Sequence, residues 1–583
     1  MKGKLVATVL HQPSSDIFRL FDKVAILDQG GYLAYFGNPV ESVVYFKTAD
    51  AQINSKIGEC PSCGNVNPET IFRILEAQVV DEFGRYTARR KITPSEWSRT
   101  FNESRDSGTV QRIVLKPHSS LVRPGFFRQL SLFLKRDIEG KTANRQYLAL
   151  TLLEAPVLGF VLSFIIRYIA DPSSDIYIFK ENENIPIYIF MSIIVALFLG
   201  LIVSAEEIFR DRIILRRERF LNLNRHSYLL AKVAIMALIS VIQTGLFLAV
   251  ANPILGIKGM YVNYFAALFA TAFCANMLGL VISSSLNSAI TIYIVIPLLI
   301  IPMMVLSGAM FPFDKLNRSI GSVDKVPVIA ELMPTRWTYE ALMVTQFKDN
   351  RYGKIFYEID KERSVAIFNL DYRIKEAEDA LRKIYQDFLR GSDTIGNHGT
   401  LAFLVNELEK LATISETGGF PGIGQMKEGK LTEELFAQLH SYLAGTRNSF
   451  NIIANRNAKR QDDFINLYRE DAQNLANDYH NIKLKEIITK TYEPNKSFIY
   501  RNRLIQNYDP VYQDSEPGGF PMFRTHFFAP SKYFFGRKTD TLTVNIGLVL
   551  LSTLLLYFLL YSDAGARIIR KFERIKFRKR AEK

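Results

Sequence analysis

Cysteine is scarce in this chain, which has three in 583 residues. Cys60 and Cys63 stand in ECPSCGNVNPE, and Cys274 lies in an apolar run. The long segment after residue 309 contains none, which excludes a disulfide framework there and leaves burial as the source of its stability. A C-x-x-C pair is half of a zinc-ribbon spacing, but no second Cys or His pair stands nearby. We therefore predict no metal site, and favour a surface turn or a labile thiol pair.

The chain also lacks the motifs of a nucleoside-triphosphate site. It has no G-x-x-x-x-G-K-[ST] sequence to cradle phosphates, no Leu-Ser-Gly-Gly sequence, and no strand-length apolar run ending in Asp-Glu to hold Mg²⁺. The chain is therefore predicted not to hydrolyse ATP by itself.

Long apolar runs are abundant instead. Hydrophobic residues make up 48% of the chain and the mean hydropathy is +0.04, between the values of a soluble enzyme and a pure membrane bundle. About 20 apolar residues cross a bilayer. Buried soluble helices are the alternative, but five of the runs lie close together and show no polar face. We predict six spans, at 146–169, 186–204, 229–251, 261–283, 287–308 and 541–561.

The basic residues predict how these spans are oriented. The net charge is +14, and Lys and Arg are concentrated between the second and third spans and after the sixth. By the positive-inside rule, residues 1–145 and 562–583 are cytoplasmic, and residues 309–540 lie outside the cell membrane. The positive net charge thus reflects the orientation of the spans in the membrane. A nucleic-acid-binding role is not expected, because the basic residues are not interleaved with aromatics on one soluble face.

The middle of the external segment has the periodicity of amphipathic helices. Apolar residues recur every three or four positions, which predicts a soluble, all-helical bundle from about 350 to 515. The residues that carry this pattern are Ile374, Ala377, Leu381, Ile384, Phe388, Leu401, Leu404, Leu408, Leu411, Leu431, Leu435, Leu439 and Tyr442.

The first residues carry the pattern that suggests a function. A predicted strand, VATVL, leads to His11 and is followed by QPSSDIFRLFDKVAILDQGGYLAYFGNP, which predicts a hairpin turning at Gln29, Gly30 and Gly31. This run resembles the switch-histidine segment of the ATPase domain in the G subfamily of ABC transporters, half-size exporters with the ATPase ahead of the membrane domain. The resemblance implies that His11 is catalytic and contacts the γ-phosphate of ATP, with Mg²⁺, in a complete assembly only.

The likeness continues over about residues 1–347 and 520–570. NPETIF, LSGAMFPFDKLN and LMPTRWTYEAL resemble segments of the same family in the same order, and EEIFRDRIILRRERFLNLNRHSYLLAK resembles its intracellular loop. The resemblance implies that a helix at about 206–226 couples the spans to the ATPase. A solvated cytoplasmic loop is the alternative, but it does not explain the interleaved Ile208, Phe209, Ile213 and Leu215. The predicted coupling residues are Glu206, Glu207, Arg210, Arg216 and Arg219.

The predicted fold is therefore mostly α, with a six-helix transmembrane domain after the C-terminal remnant of an α/β ATPase domain. We expect four parts: the remnant and linker at 1–115, spans one to five at 116–347, an extracytoplasmic helical domain at 348–520, and the sixth span with a basic tail at 521–583. The cysteine-free insert suggests a bacterial branch of the family. The rest of the ATPase is expected from a longer gene product or from a separate chain.

The predicted function is that of the membrane subunit of an ATP-driven exporter. It moves a hydrophobic or amphipathic substrate by alternating access, as a homodimer or heterodimer in the lipid bilayer. The alternative is a membrane-anchored receptor or scaffold that displays the helical outer domain. Glu154, in the first span, is a candidate for the substrate path, because a carboxylate there is costly unless it is paired or faces water. Its alternative role is that of a structural partner of a residue such as Lys232.

Overall fold

The computed structural model describes residues 5–60, 65–104, 124–218, 221, 223–322, 324–390, 398–415, 418–516, 523–534, 536–569 and 571. The chain divides into two compact units, residues 1–122 and 123–583. Helices dominate the described residues, as the sequence predicts. Cys63 and Arg219 lie outside the described residues. The four predicted domain ranges stay predictions.

The first unit contains short helices and two antiparallel hairpins. The predicted hairpin is confirmed, and Gly30 and Gly31 in its turn have φ of +86° and +81°, a conformation that glycine adopts without strain. Its core includes Tyr35, Phe46, Trp97 and Phe101. The helices are α1 Ser15–Arg19, α2 Pro39–Ala49, α3 Glu69–Leu75 and α4 Pro94–Ser104. The strands are β1 Val24–Leu27, β2 Leu33–Gly37, β3 Gln78–Val80 and β4 Tyr86–Arg90.

The predicted strand before His11 is wrong. Residues 5–10 form no strand, and Leu5, Val6 and Val9 are 99%, 72% and 88% exposed. Both sheets among the described residues of this unit are two-stranded and antiparallel, so neither gives residues 5–10 a neighbouring strand. An extended segment with no neighbouring strand has no partners for its backbone N–H and C=O groups, so nothing fixes it as a strand.

The second unit begins with the helices of the membrane region. They are α5 Phe126–Ala143, α6 Arg145–Ile166, α7 Ile185–Ala205, α8 Glu207–Arg217, α9 Arg225–Ile254, α10 Tyr261–Ser285 and α11 Ala289–Val305. The external segment follows as α12 Val328–Glu331, α13 Pro334–Lys348, α14 Gly353–Phe368, α15 Lys375–Leu389, α16 His398–Ile414, α17 Ile423–Lys427, α18 Glu433–Leu467, α19 Arg469–Tyr479 and α20 Ile482–Thr489. The chain then forms β5 Ser497–Tyr500, β6 Arg503–Gln506, β7 Ser531–Phe534 and β8 Arg537–Asp540. These are followed by α21 Thr541–Tyr561 and by a short helix at 564–569.

Five helical segments among the described residues are long and apolar enough to cross a membrane. They are 145–166, 185–217, 225–254, 261–285 and 541–561, at five of the six predicted positions. The remaining run, predicted at 287–308, forms the 17-residue helix α11, which contains Pro297 and Pro302. At a rise of about 1.5 Å per residue, α11 is a few ångströms shorter than a bilayer core of about 30 Å. Local thinning of the bilayer accommodates a mismatch of this size, so the short helix is compatible with a sixth crossing.

Helices α7 and α10 approach closely at two glycines. A Cβ atom on Gly200 would lie 2.4 Å from the carbonyl oxygen of Ala272, and one on Gly279 would lie 2.0 Å from the Ser204 hydroxyl oxygen. Small residues at such contacts let helix backbones pack tightly within a membrane. Hence α7 and α10 form the packed centre of the membrane region.

The predicted all-helical bundle needs a correction, because the external segment also contains the hairpin of β5 and β6. The hairpin residues were missed because their polar and apolar residues give no long alternating run. The predicted helical stripes are confirmed. They pack into one core that includes Ile374, Leu404, Leu408, Leu439 and Phe450.

The external segment contributes to two different cores. Its outer part, around Leu408, packs on itself. Its base does not: Tyr357, Ile488 and Tyr512 share a core with residues of α7, α9 and α10. The side-chain amide of Asn481 also donates to the carbonyls of Phe179 and Asn182, both at 2.8 Å, in the loop before α7. The outer part is therefore the portion expected to fold without the membrane helices.

A fragment of residues 350–515 tests this division. We expect a helical fragment with one cooperative melting transition that arises from the outer core. Leu408→Ala should lower its melting temperature by roughly 5–15 °C, because Leu→Ala in a packed core costs about 2–5 kcal/mol. Ile488→Ala is the matched control, since Ile488 is equally buried but in the shared core. Equal shifts for both variants, or a melt without a transition, would contradict the division.

Candidate coupling site

Lys232 of α9 occupies the centre of a buried group of charges beside α8. Its Nζ lies 2.6 Å from Oδ1 of Asp137, 2.9 Å from Oε2 of Glu207 and 3.0 Å from Oδ2 of Asp211. Lys141 lies 2.8 Å from the other carboxylate oxygen of Glu207 and 3.1 Å from that of Asp137. These five residues, here called the lysine cluster, join α5, α8 and α9. Two cations thus face three carboxylates.

The local sequence explains how the cluster assembles. Asp137 and Lys141 are one turn apart on α5, so both side chains leave the same face. Glu207 and Asp211 have the same spacing on α8. Lys232 is 4% exposed and, in an apolar helix, is stable only beside negative charge. Burial disfavours the charged form of Asp137, but Lys232 and Lys141 outweigh it and hold the pKa of Asp137 below its usual value.

Helix α8 is also fixed to the end of α10. The Ser283 hydroxyl accepts the backbone N–H groups of Ile208 and Phe209, at 3.1 and 3.0 Å. These two donors lie in the first turn of α8, where no carbonyl of the helix is available. Farther along, Arg212 donates to the carbonyls of Ser283 and Ser284, at 3.0 and 2.6 Å. A displacement of α8 therefore acts on α5, α9 and α10 together.

The opposite face of α8 is open. Ile213 and Ile214 are 64% and 44% exposed, and Arg210 and Arg216 beside them are also exposed. Apolar residues flanked by arginines on a short helix suit a groove on a partner whose rim is acidic. The helix thus has one face held by the membrane region and one face available for docking.

The predicted coupling residues are distributed over both faces. Glu207 belongs to the lysine cluster, and Glu206 is half-buried where α8 begins. Arg210 and Arg216 lie on the open face, and Arg219 lies outside the described residues. Their coupling role stays a prediction.

Sequence reasoning missed three members of the cluster, Asp137, Lys141 and Asp211, and gave Lys232 a different partner, Glu154. A usable signal existed, since a lysine within an apolar span requires acidic partners. The spacing of Asp137 and Lys141 just before the first span was another. The packing of α5 against α9, which brings these residues together, could not be predicted from the sequence.

The alternative predicted for Glu154, pairing with Lys232, is absent from the structure, because Lys232 is occupied by the lysine cluster. Glu154 is half-buried in α6, and no hydrogen bond or ion pair connects it to the described residues. One turn earlier, the carbonyl of Thr151 accepts the Gln243 side-chain amide at 3.0 Å. Glu154 therefore stays a candidate for the substrate path, which transport by a normally abundant Glu154→Gln protein would test.

His11 is exposed in the first unit. The sequence offers no phosphate-cradling loop beside it, and the described residues contain no group of three or more His, Cys, Asp or Glu that could hold a metal ion. The contact of His11 with ATP stays a prediction.

A second buried charge group, here called the Glu340 cluster, lies where the external segment joins α21. One carboxylate oxygen of Glu340 accepts the backbone N–H of Phe528 at 3.1 Å. The other lies 2.5 Å from the Lys532 ammonium, 2.8 Å from the Asn545 amide and 3.3 Å from the Arg336 guanidinium. All four side chains are fully buried. The cluster joins α13, which leads into the external segment, to β7 and α21, which follow it.

Comparison with known proteins shows which family these helices are similar to. Residues 128–347 match the family of ABC-2 type transporters. The chain is 23% identical over 367 residues to the Protein white of Drosophila melanogaster, across 61% of this chain and 50% of that protein. It is 23% identical over 357 residues to an ABC transporter ATP-binding/permease protein of Mycobacterium tuberculosis, across 59% and 36%.

A human relative extends the comparison to the predicted subfamily. The chain is 24% identical over 176 residues to the ATP-binding cassette sub-family G member 5 of Homo sapiens, across 28% of this chain and 26% of that protein. The chain thus spans half or less of the length of these relatives. Lysine cluster residues Asp137, Lys141, Glu207, Asp211 and Lys232 all lie within the matched family region.

Proposed function

Since residues 128–347 match the family of ABC-2 type transporters, we propose that this membrane protein is the membrane subunit of an ATP-driven exporter. It moves a hydrophobic or amphipathic substrate by alternating access and works as a dimer. ATP use is supported by the names of its relatives, which are ATP-binding transporters. The ATPase parts that this sequence lacks come from additional polypeptide, and the exposed Leu5, Val6 and Val9 offer that polypeptide an apolar edge.

The orientation is proposed from the charges. Residues 1–145 and 562–583 are cytoplasmic and residues 309–540 are extracytoplasmic, in the cell membrane. This arrangement puts the open face of α8 on the side of the ATPase. It also puts the external segment where cargo leaves the spans.

The observation that carries the proposal is the two-sided contact of α8. Its inner face is fixed to α5, α9 and α10 by the lysine cluster and by Ser283, while Ile213 and Ile214 on its outer face are exposed. Because α8 is held in this way, a force on its outer face displaces α5, α9 and α10 together. The result is a change in how the spans pack, the general form of alternating access.

The test uses a complete assembly that includes the nucleotide-binding core. Ile213→Asp should leave folding intact, because the side chain is exposed, but abolish the nucleotide-dependent change in hydrogen exchange of α9 and α10. Transport should fall about tenfold, as expected when an anchor residue of a helix-in-groove contact is lost. Leu467→Asp is the control, since Leu467 is 74% exposed at the end of α18 in the external segment. If the nucleotide-dependent change in hydrogen exchange of α9 and α10 persists in Ile213→Asp, the proposal is wrong.

The same assembly tests His11. If His11 contacts the γ-phosphate, His11→Ala should bind ATP almost normally and hydrolyse it about a hundredfold more slowly, the usual effect of losing one donor to the transition state. An ATP hydrolysis rate equal to that of the unmodified assembly would remove His11 from the site without affecting the role of α8.

A further inference from the structure

A cavity of about 630 Å³ lies where the last membrane helix ends. It is open to its surroundings, and its walls are the first residue of α9, the end of α21 and the segment that follows α21. The residues that line it are Arg225, Tyr561, Ser562, Asp563 and Arg567. Neither the lysine cluster nor the open face of α8 contributes to it. A volume of this size is in the range of small-molecule sites.

The segment after α21, a turn at residues 562–563 followed by a short helix at 564–569, is held in a defined shape. A Cβ atom on Gly565 would lie 2.3 Å from the Ser285 hydroxyl oxygen, so the short helix packs closely on the end of α10 at this glycine. Asp563 has φ of +52°, and its carbonyl accepts the backbone N–H of Arg567 at 3.0 Å. The cavity wall is therefore preorganised.

Arginine supplies the charge of the cavity. Both terminal nitrogens of Arg225 donate to the Asp563 carboxylate, and one of them also donates to the carbonyl of Leu560 at 3.1 Å. Arg567 donates to the Ser562 carbonyl but faces no carboxylate partner of its own among the described residues. The lining thus has one positive charge in excess. Guanidinium groups bind phosphate through paired N–H donors, and the hydroxyls of Ser562 and Tyr561 add two more.

The surroundings of the cavity are apolar on one side. Leu555, Phe558 and Tyr561 on the last turns of α21 are exposed, as expected for side chains against acyl chains and the membrane interface. A ligand that fills the cavity beside these residues has an anionic head next to an apolar body. A soluble phosphate would leave that apolar face uncovered.

We propose that this cavity binds the headgroup of one anionic phospholipid, with its phosphodiester on Arg567 and Arg225 and its acyl chains along α21. The single excess charge matches a headgroup of one negative charge, such as that of phosphatidylglycerol. Asp563 disfavours more highly charged anions because it adds a carboxylate to the lining. The bound lipid fixes the end of α21 against α9 and α10.

The experiment counts lipids bound to the purified 583-residue chain by native mass spectrometry. Phosphatidylglycerol should bind at least fivefold more tightly than phosphatidylcholine. Arg567→Gln should remove that preference by about five- to tenfold, the worth of one charge-assisted contact near a membrane surface. Arg318→Gln is the control, because Arg318 is an exposed residue that follows α11, near the other end of the spans. This variant should keep the full preference for phosphatidylglycerol.

A second variant alters the shape of the cavity without removing a charge. Gly565→Ala crowds Ser285, moves the short helix at 564–569 away from the end of α10 and should weaken phosphatidylglycerol binding without changing the helical circular-dichroism spectrum. The proposal is overturned if Arg567→Gln and Arg318→Gln have the same preference for phosphatidylglycerol. That result would mean that anionic lipids are attracted by the basic tail in general and not by the cavity. Displacement of phosphatidylglycerol by millimolar inorganic phosphate would equally overturn it, since the cavity would then be a site for soluble anions.

Discussion

Lys232→Met is expected to lower the free energy of unfolding by about 3–5 kcal/mol, the usual cost of leaving buried charge without its partner. The substitution keeps the apolar stem but leaves Asp137, Glu207 and Asp211 with Lys141 as the remaining cation of the lysine cluster. Because the cluster joins α8 to α9, the loss should appear first at α8. Thermal unfolding of the purified chain measures the stability, and hydrogen exchange of α8 locates the loss.

Two further variants separate charge from packing. Lys232→Met combined with Glu207→Gln restores the original excess of one carboxylate over the lysines, so it should recover part of the lost stability. Lys135→Met on α5 removes a side chain that is 72% exposed and pairs with Glu139 at 3.8 Å, so it should cost less than about 0.5 kcal/mol. If Lys232→Met melts like Lys135→Met, the lysine cluster does not hold α8.

Glu340→Gln is expected to be at least as severe, with a loss of about 3–5 kcal/mol and a low yield of folded protein. The glutamine retains the shape and can still accept the N–H of Phe528, but Arg336 and Lys532 remain buried without an anion. The control is Asp478→Asn, whose partner Lys258 is half exposed, so little stability depends on that pair. A Glu340→Gln protein with normal yield and melting would show that solvent reaches the Glu340 cluster.

Within the Glu340 cluster, loss of a cation and loss of the carboxylate should have different effects on stability. Lys532→Met leaves Arg336 and Glu340 as a neutral pair, so it is expected to cost far less than Glu340→Gln. Burial and the neighbouring Arg336 lower the pKa of Lys532 to about 7, well below its value in an unfolded chain. The unfolded state therefore holds more protons than the folded state above pH 7, and the stability should rise with pH over that range. Lys532→Met should lose this rise, which melting curves from pH 7 to 9 would measure.

The membrane helices were predictable because a bilayer imposes a simple rule on the sequence. A helix that faces lipid must be apolar over its whole length, so α6, α7, α9, α10 and α21 are visible as runs of residues. The helical stripes of the external segment were predictable for a related reason, since residues such as Leu404, Leu408 and Leu411 repeat at the helical period. Both signals depend on neighbours in sequence.

The charged groups were not predictable to the same degree. Glu207 was selected because it lies in a loop that resembles a known coupling segment, but its partners Lys141 and Lys232 are separated from it by 66 and 25 residues. Glu340 meets Lys532 across 192 residues. No local period encodes such meetings, because burial of one charge beside another is decided by which helices pack together.

The sequence by itself determined the spans, the amphipathic helices and the Gly30 and Gly31 hairpin. Each of these follows from the nature of residues a few positions apart. Only the tertiary structure decided that Lys232 pairs with the acids of α5 and α8 and leaves Glu154 unpaired. It also decided that the base of the external segment shares a core with α7, α9 and α10. Hydrophobic burial selects which surfaces meet, and buried charges then take the partners that this packing brings within reach.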